Sequence, residues 1–486
     1  MSTPYSFAHG NYARDVRTTF DHLVAGEESG ASVSVAGRVM LLRTQGRVAF
    51  ATMRDSTGEV QLFAQSAGTT DFEGFAHLHL GDWVGVTGEV VRTRRGELSV
   101  KVGTWTRLAE ARRNFGDKWA GIADYDVRYR HREVDLWANE RSRTSLALRS
   151  ALLRALRERC WAGGFMEVET PMLNPIATGA AARPFVTHHN ALDSEFYLRI
   201  APELWLKRLV VGGFERVFEL GRVFRNEGVS PRHNPEFTSL ELYSAYWDYE
   251  DMMAFTEELV AGVVQDVLGT TNLTYQGRAL SMAPPWPRRP MAELASEAVG
   301  EEVSVHTPRE RLAALLSERD VAVAPAWGPG RCLAELFECA AESELWDPLF
   351  VTDHPVEVSP LARRHRGDPQ LTERFESYVA GWELSNGFSE LNDPDEQRVR
   401  FEQQAALGAA GDDEAMSVDE NYLAALEWGL PPTAGLGVGV DRLAMIVADE
   451  SNIREVIAFP TLKPLREEMR TDRAGDAAEV SRLGRG

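Results

Sequence analysis

Only three cysteines occur in 486 residues, Cys160, Cys332 and Cys339, and they form neither an even set nor a metal-binding spacing. That scarcity excludes a disulfide-stapled scaffold and a cysteine-ligated zinc module, and points to a reducing, cytoplasmic setting. No apolar run reaches membrane-spanning length, because the most apolar tract, TAGLGVGVDRLAMIV, is broken by Asp441-Arg442. The opening MSTPYSFAHGNYARD lacks the apolar centre of a secretion signal. There is no Walker-A loop and no GxGxxG after a strand, so a nucleotide must be held by another route. Basic residues are outnumbered: 52 Lys and Arg against 73 Asp and Glu leave a net charge of −21. This excludes non-specific coating of nucleic acid but not a local basic path to a folded RNA.

What is present divides the chain. Residues 1–30 read as an N-terminal arm. From 31 to 108, SVSVAGRVMLLR, RVAFATMRD, EVQLFAQ, DWVGVTGEVVR and ELSVKVGTWTRL alternate apolar and polar residues between turn signals. Five such strands predict an OB-type β-barrel, a fold that commonly binds single-stranded nucleic acid but also serves as a purely structural module. A charged linker, 109–130, follows. A second domain, 131–467, opens on an amphipathic helix, TSLALRSALLRALRERCWAGG, with Leu148, Leu152 and Leu156 on one stripe and Gly163-Gly164 as its stop. A strand, FMEVETP, comes next. Strands and helices then mix without βαβ alternation, which predicts an α+β fold. Residues 468–486 are polar and rich in small side chains, as in a disordered tail.

Three stretches carry chemistry. ERVFELGRVFRNEGVSPRHNPEFTSLELYSAY reads as a long hairpin. Strand alternation puts Arg225 with Glu227, and Phe237 with Ser239, Glu241 and Tyr243, on common faces. So many polar groups on one side of an apolar hairpin require partners or a ligand, since a buried unpaired charge costs several kcal/mol. In GFSELND, Asn392-Asp393-Pro394 starts a helix, but capping does not explain Glu390. Asn386, Phe388 and Glu390 alternate onto one face. In GLGVGVDRL, alternating glycines clear one strand face ahead of Arg442.

Taken together, the chain resembles class II aminoacyl-tRNA synthetases over about residues 31–465. The helix-strand ending in Pro171, the FRNE hairpin and GLGVGVDR fall in the order of that family's three motifs. GAAARPFVTHHNALD, YLRIAPELWLKRLVVGGFERVFE, VSPLAR and NGFSELND resemble its lysyl branch. The resemblance implies ATP-dependent ligation of L-lysine to lysine tRNA through a lysyl-adenylate, by a Mg2+-using, soluble homodimer without membrane contact. Arg225 would hold the α-phosphate, Arg232 the terminal phosphates, and Phe237 with Arg442 the adenine. Glu227, His233 and Asn234 match positions near adenine and phosphates, and Glu376 and Glu383 match carboxylates that hold Mg2+. Glu203 and Glu390 match the acids that meet the lysine ε-ammonium, with Tyr243 nearby and Phe388 along the aliphatic stem. Gly179, Glu241 and Asn386 match the α-amino and carboxylate end. On the barrel, Phe50, Gln61 and Glu97 match anticodon-reading positions; each also has a bland alternative, barrel core for Phe50 and exposed polar strand for the others.

Two other functions stay open at this level. A paralogue that passes its adenylate to another acceptor generally lacks the barrel, and a catalytically silent tRNA binder requires losses at Arg225, Glu227, Arg442, Glu203 or Glu390. Departures from the family pattern stand at Thr178, Pro231, Trp382 (for an arginine) and Ser385 (for a glycine). The extra hydroxyl of Ser385 is expected beside the lysine pocket, altering sensitivity to analogues.

Overall fold

The structure, a computed structural model, describes residues 4–113, 124–177, 179–180, 182–409 and 415–464. Thr178 and the tail 468–486 lie outside them. Two compact units divide the chain, Met1–Asp124 and Tyr125–Gly486.

In the first unit, β1 (Glu28–Gln45), β2 (Val48–Arg54), β3 (Glu59–Gln65), β4 (Trp83–Arg92) and β5 (Leu98–Ala109) close into a barrel in the order β1-β2-β3-β5-β4. Only β3 and β5 run parallel. In β2 and β3 every second residue is buried, the period-two signature legible in the sequence. The arm is not a separate appendage. Its helix α1 (Ala13–Phe20) sends Ala13 and Val16 into the barrel core, and the Ala13 N–H donates to Asp55 Oδ2 at 2.6 Å.

The second unit is built on eight strands: β6 (Met166–Glu167), β7 (Arg216–Phe224), β8 (Glu236–Ala245), β9 (Arg288–Pro290), β10 (Leu349–Thr352), β11 (Arg374–Val379), β12 (Trp382–Ser389) and β13 (Thr433–Gly439). Their order is β9-β10-β11-β12-β13-β8-β7-β6, antiparallel except at the two edge pairs. FMEVETP forms only the two-residue β6, which lies at the edge of the sheet and pairs with β7 alone. The helices α2 (Glu140–Ala162), α3 (Glu203–Val211), α4 (Tyr249–Leu268), α5 (Glu420–Glu427) and α6 (Val440–Val447) surround this sheet. α2, α4 and α6 share one apolar core with Leu240, Leu242, Phe375, Leu436 and Val438. Strand alternation therefore turns Ser239, Glu241, Tyr243, Arg374 and Glu376 to the opposite face. α2 ends as read, with Gly164 at φ +79°.

The last part of the expected linker belongs to this unit. Tyr125–Arg130 is helical, and Arg128 pairs with Asp135 and Glu455 at 2.8 Å each. The helix Pro394–Ala409 is capped by Asp393, whose Oδ1 accepts from the Asp395 and Glu396 N–H groups at 2.9 and 3.0 Å. Among the described residues, no helix is long and apolar enough to cross a membrane.

Candidate active site

A cavity of about 440 Å3 opens on the sheet face turned away from the α2–α4–α6 core. Every residue expected to meet lysine or ATP lines it, except Glu390. Its floor is β13. At Gly437 and Gly439 an added Cβ would meet protein atoms no closer than 3.8 and 3.5 Å, ordinary contact distances. Those two glycines are not demanded by internal packing; they leave backbone bare toward the cavity. Gly435 differs. A Cβ there would collide with Glu390 Oε1 and lie 2.5 Å from Tyr243 Cε1. Gly179 sits at φ +101°, a conformation that favours glycine.

One end of the cavity is cationic. The Arg225 guanidinium stands 5.3 Å from the Phe237 ring centroid, and its buried Nε has no hydrogen-bond partner among the described residues. A buried guanidinium donor without an acceptor is a site prepared for an anion. Arg442 donates to the Glu383 carbonyl at 2.5 Å and to its carboxylate at 3.0 Å. Burial, then the Arg442 charge, holds the His233 imidazole below its ordinary value, with Arg232 and Arg225 adding to the effect against Glu227. Its Nδ1 lies 3.0 Å from Ser230 Oγ. Asn234 is committed internally: its amide donates to the Glu236 carbonyl at 2.6 Å and its oxygen accepts from Thr461 N–H at 3.3 Å. Arg232 stacks on Trp382, 4.6 Å from guanidinium carbon to ring centroid. The tryptophan that departs from the family pattern thus holds a hairpin-loop cation by its ring face.

Glu376 and Glu383 both face the cavity, each already engaged. Glu376 accepts from Arg374 at 2.5 Å and from the Tyr378 hydroxyl at 2.8 Å, while Glu383 pairs with Arg442. Among the described residues, no three His, Cys, Asp or Glu side chains are grouped to hold a metal. Arg374 was not singled out by sequence, yet it organises this wall, donating also to Asn386 Oδ1 at 3.0 Å and to the Val358 carbonyl at 2.7 Å. The signal was its alternation with Glu376 in TERFES.

The other end is closed and acidic. Glu241 is buried, and burial followed by the Glu203 charge pushes its carboxyl up to about 8. Tyr243 donates to it at 3.4 Å. Glu203, at the start of α3, and Glu390, just past β12, meet here although 187 positions apart in the chain, and what joins them is Lys207. Its Nζ donates to Glu203 Oε1 at 2.5 Å and contacts Glu390 Oε2, with the Phe388 and Tyr422 ring centroids 5.4 and 5.8 Å away. Glu390 therefore lies beneath the cavity surface rather than on it, below Gly435 and Tyr243. Sequence reasoning missed Lys207, although its spacing of four from Glu203 on a helix was a visible pairing signal.

Ser385 lines the cavity as expected, but its hydroxyl is engaged within the sheet. Its hydroxyl and that of Ser377 share a hydrogen bond of 2.6 Å between buried, cross-strand neighbours. They occupy the face of Phe375, opposite Asn386 and Phe388, so the added hydroxyl is satisfied inside the sheet's helix-facing layer.

On the barrel, Phe50 is not core. It is half-buried on the outer face and stacks on Phe63, centroids 4.9 Å apart and planes at 10°. Gln61 lies on the same face, donating to Ser99 Oγ at 2.9 Å, and Glu97 follows in the β4–β5 turn. Phe63 is an aromatic of this patch that sequence reasoning left out.

Comparison with known proteins agrees with this geometry. Residues 33–108 match the family described as OB-fold nucleic acid binding domain, and residues 124–463 match tRNA synthetases class II (D, K and N). The chain belongs to the class II tRNA synthetase family, in its aspartate, lysine and asparagine branch. It is 51% identical over 470 residues to the lysine–tRNA ligase of Synechococcus sp. (strain CC9605), covering 95% of this chain and 94% of that protein. Lysine–tRNA ligases of Prochlorococcus marinus (strain MIT 9303) and Moorella thermoacetica are 49% and 47% identical over 475 and 466 residues. They cover 95% and 96% of this chain and 94% of each relative.

Proposed function

We propose that this chain ligates L-lysine to lysine tRNA, driven by ATP. The observation that carries the reading is the polarity of one cavity: three guanidiniums, Arg225, Arg232 and Arg442, at one end, and the Glu203 and Glu241 carboxyls at the other, with Glu390 buried beneath them. A zwitterion with a second ammonium fits the acidic end; a triphosphate fits the basic end.

The chemistry follows from charge. The lysine carboxylate is ionised at neutral pH, so its oxygen attacks the α-phosphorus without a general base, and pyrophosphate leaves. Arg225, with its unsatisfied Nε, holds the α-phosphate and stabilises the charge that grows there. Phe237 and Arg442 present a ring and a guanidinium plane to the adenine, while Arg232 and a neutral His233 meet the outer phosphates. The terminal 3′-hydroxyl of the tRNA then attacks the lysyl carbonyl carbon, AMP leaves, and the hydroxyl proton goes to phosphate or solvent. Glu376 and Glu383 suit Mg2+, a hard ion that prefers oxygen ligands. Glu376 and Glu383 would hold the ion, which when bound would neutralise phosphate charge. Gln61, Glu97 and the Phe50–Phe63 pair offer stacking and hydrogen bonds for anticodon bases. Exposed apolar side chains at Trp161, Met166, Met172, Leu173 and Val186 support a homodimer, and the free cysteines a cytoplasmic setting.

The test is ATP–pyrophosphate exchange with each of the twenty amino acids, then charging of lysine tRNA. Exchange dependent on lysine alone is expected, and its loss in Arg225→Ala. Exchange with aspartate or asparagine instead of lysine overturns the reading.

A further inference from the structure

We propose that Arg374 is a positioning residue for the carboxylate of the bound amino acid: it takes the Asn386 carboxamide by its oxygen and so turns the amide N–H groups into the cavity. The inference rests on the lysine-binding reading given above, in which Asn386 stands at the carboxylate end. Arg374 is largely buried, and its guanidinium is spent on protein acceptors: Asn386 Oδ1 at 3.0 Å, the Val358 carbonyl at 2.7 Å, Ser359 Oγ at 3.0 Å and the Glu376 carboxylate. It therefore acts through its neighbours.

The sheet register sets the geometry. Glu241 pairs with Gly437, Gly437 with Asn386, and Asn386 with Glu376, so one row crosses β8, β13, β12 and β11. Directly opposed residues share a face, and all four of these line the cavity. Neighbouring strands lie about 4.8 Å apart, so the backbones of Glu241 and Asn386 stand roughly 10 Å apart across the bare Gly437. An amino-acid head group laid over that glycine has the Glu241 carboxyl for its ammonium on one side and the Asn386 carboxamide for its carboxylate on the other.

Donors and acceptors decide which end of the carboxamide faces that head group. A guanidinium carries only donors, so the atom that meets Arg374 Nε is the amide oxygen. The Asn386 side-chain N–H groups have no partner among the described residues, and they are left for an acceptor-only ligand such as a carboxylate. Without Arg374 the same amide has another acceptor at hand: Glu376, its directly paired neighbour, which Arg374 now occupies. The N–H groups would turn to that carboxylate, because hydrogen bonds to an ionised acceptor are the stronger ones. The amide oxygen would then face the cavity and repel the oxygens of the substrate.

The test replaces Arg374 by Met, which removes every donor, and measures binding rather than turnover, so that effects on ATP or a metal do not enter. Titration calorimetry on the full-length protein, without ATP, gives dissociation constants for lysine and for 1,5-diaminopentane, which is lysine without its carboxylate. The diamine constant divided by the lysine constant reports what the carboxylate contributes and cancels effects at the two amines. In Arg374→Met this ratio is expected to fall roughly tenfold, the worth of one charge-assisted hydrogen bond, through weaker lysine binding with the diamine constant unchanged. Asn386→Ala should lower the ratio to a similar extent. In the Asn386→Ala background, Arg374→Met should add little, because both changes remove the same donor.

An unchanged ratio in Arg374→Met overturns the proposal. So does an equal loss of lysine and diamine binding, which marks a merely structural residue. Full additivity with Asn386→Ala also overturns it, since that marks the Arg374 charge acting on the carboxylate directly. If Asn386→Ala by itself leaves the ratio untouched, the carboxylate does not lie at Asn386 and the binding reading of that residue fails, a distinct outcome seen without touching Arg374. Should the Met variant not fold, Arg374→Gln, which accepts as well as donates and so no longer dictates the orientation of the amide, is measured by the same ratio with the same expectations.

Discussion

Glu241 shows how much chemistry a single buried carboxyl can hold in reserve. With its value raised from 4.5 to about 8 by burial, it keeps its proton at neutral pH in the ligand-free protein. On the proposed lysine-binding reading, an α-ammonium beside it would favour the carboxylate, so that binding would expel a proton. Lysine affinity should therefore rise with pH, by up to about tenfold per unit, and level off above about pH 8. Calorimetry in buffers of different ionisation enthalpy counts that proton; no release at pH 7 removes Glu241 from the α-amino end. The same shift acts on stability. The folded carboxyl titrates above the unfolded one, so its contribution is fully present below about pH 4.5 and is lost as pH rises through about 8. Sequence marked Glu241 as a residue needing a partner, through its alternation with Ser239 and Tyr243. Its protonation state depends on burial among groups drawn from elsewhere, which no local pattern records.

At the scale of elements, β13 does two jobs with three alternating glycines. Gly435→Ala puts a methyl group against Glu390 Oε1 and 2.5 Å from Tyr243, so the carboxylate and ring must move. The variant should lose roughly 1–3 kcal/mol of stability and raise the lysine KM. Gly437→Ala meets only Glu241 Cγ at 3.8 Å and the Asn386 carbonyl oxygen at the same distance. It should leave thermal stability within about 0.5 kcal/mol, as a change away from tight packing does, while impairing substrate binding by narrowing the floor. Melting curves and exchange kinetics on the two variants check this contrast, and equal melting losses would refute it. The glycine spacing was legible as a cleared strand face. Which glycine serves the protein and which the ligand was not, because that depends on a carboxylate arriving from beyond β12.

For the whole molecule, the two units divide the labour. The Phe50–Phe63 stack lies outside the barrel core, so Phe50→Ala should spare folding and lysine-dependent exchange. Charging of lysine tRNA should fall by the worth of about one stacked base, roughly 1–3 kcal/mol in kcat/KM. Comparing exchange with aminoacylation separates the two, and matched losses would argue against an anticodon role for that face. The barrel was readable strand by strand, because period-two alternation between short turns has few other solutions. The second unit was readable as α+β, while its strand order was not: β8 pairs with β13 across almost 190 residues. The arm read as preceding the barrel proved to pack on it.

The sequence by itself determined the elements, the barrel, the hairpin and the kinds of side chain each strand face presents, since these follow from local periodicity and turn chemistry. Only the tertiary structure decided which charges meet. Glu203, Lys207 and Glu390 are neighbours because an eight-stranded sheet brings the start of α3 and the end of β12 together. In that water-poor space a charge is tolerated only by its partners, and long-range partners are a property of the fold.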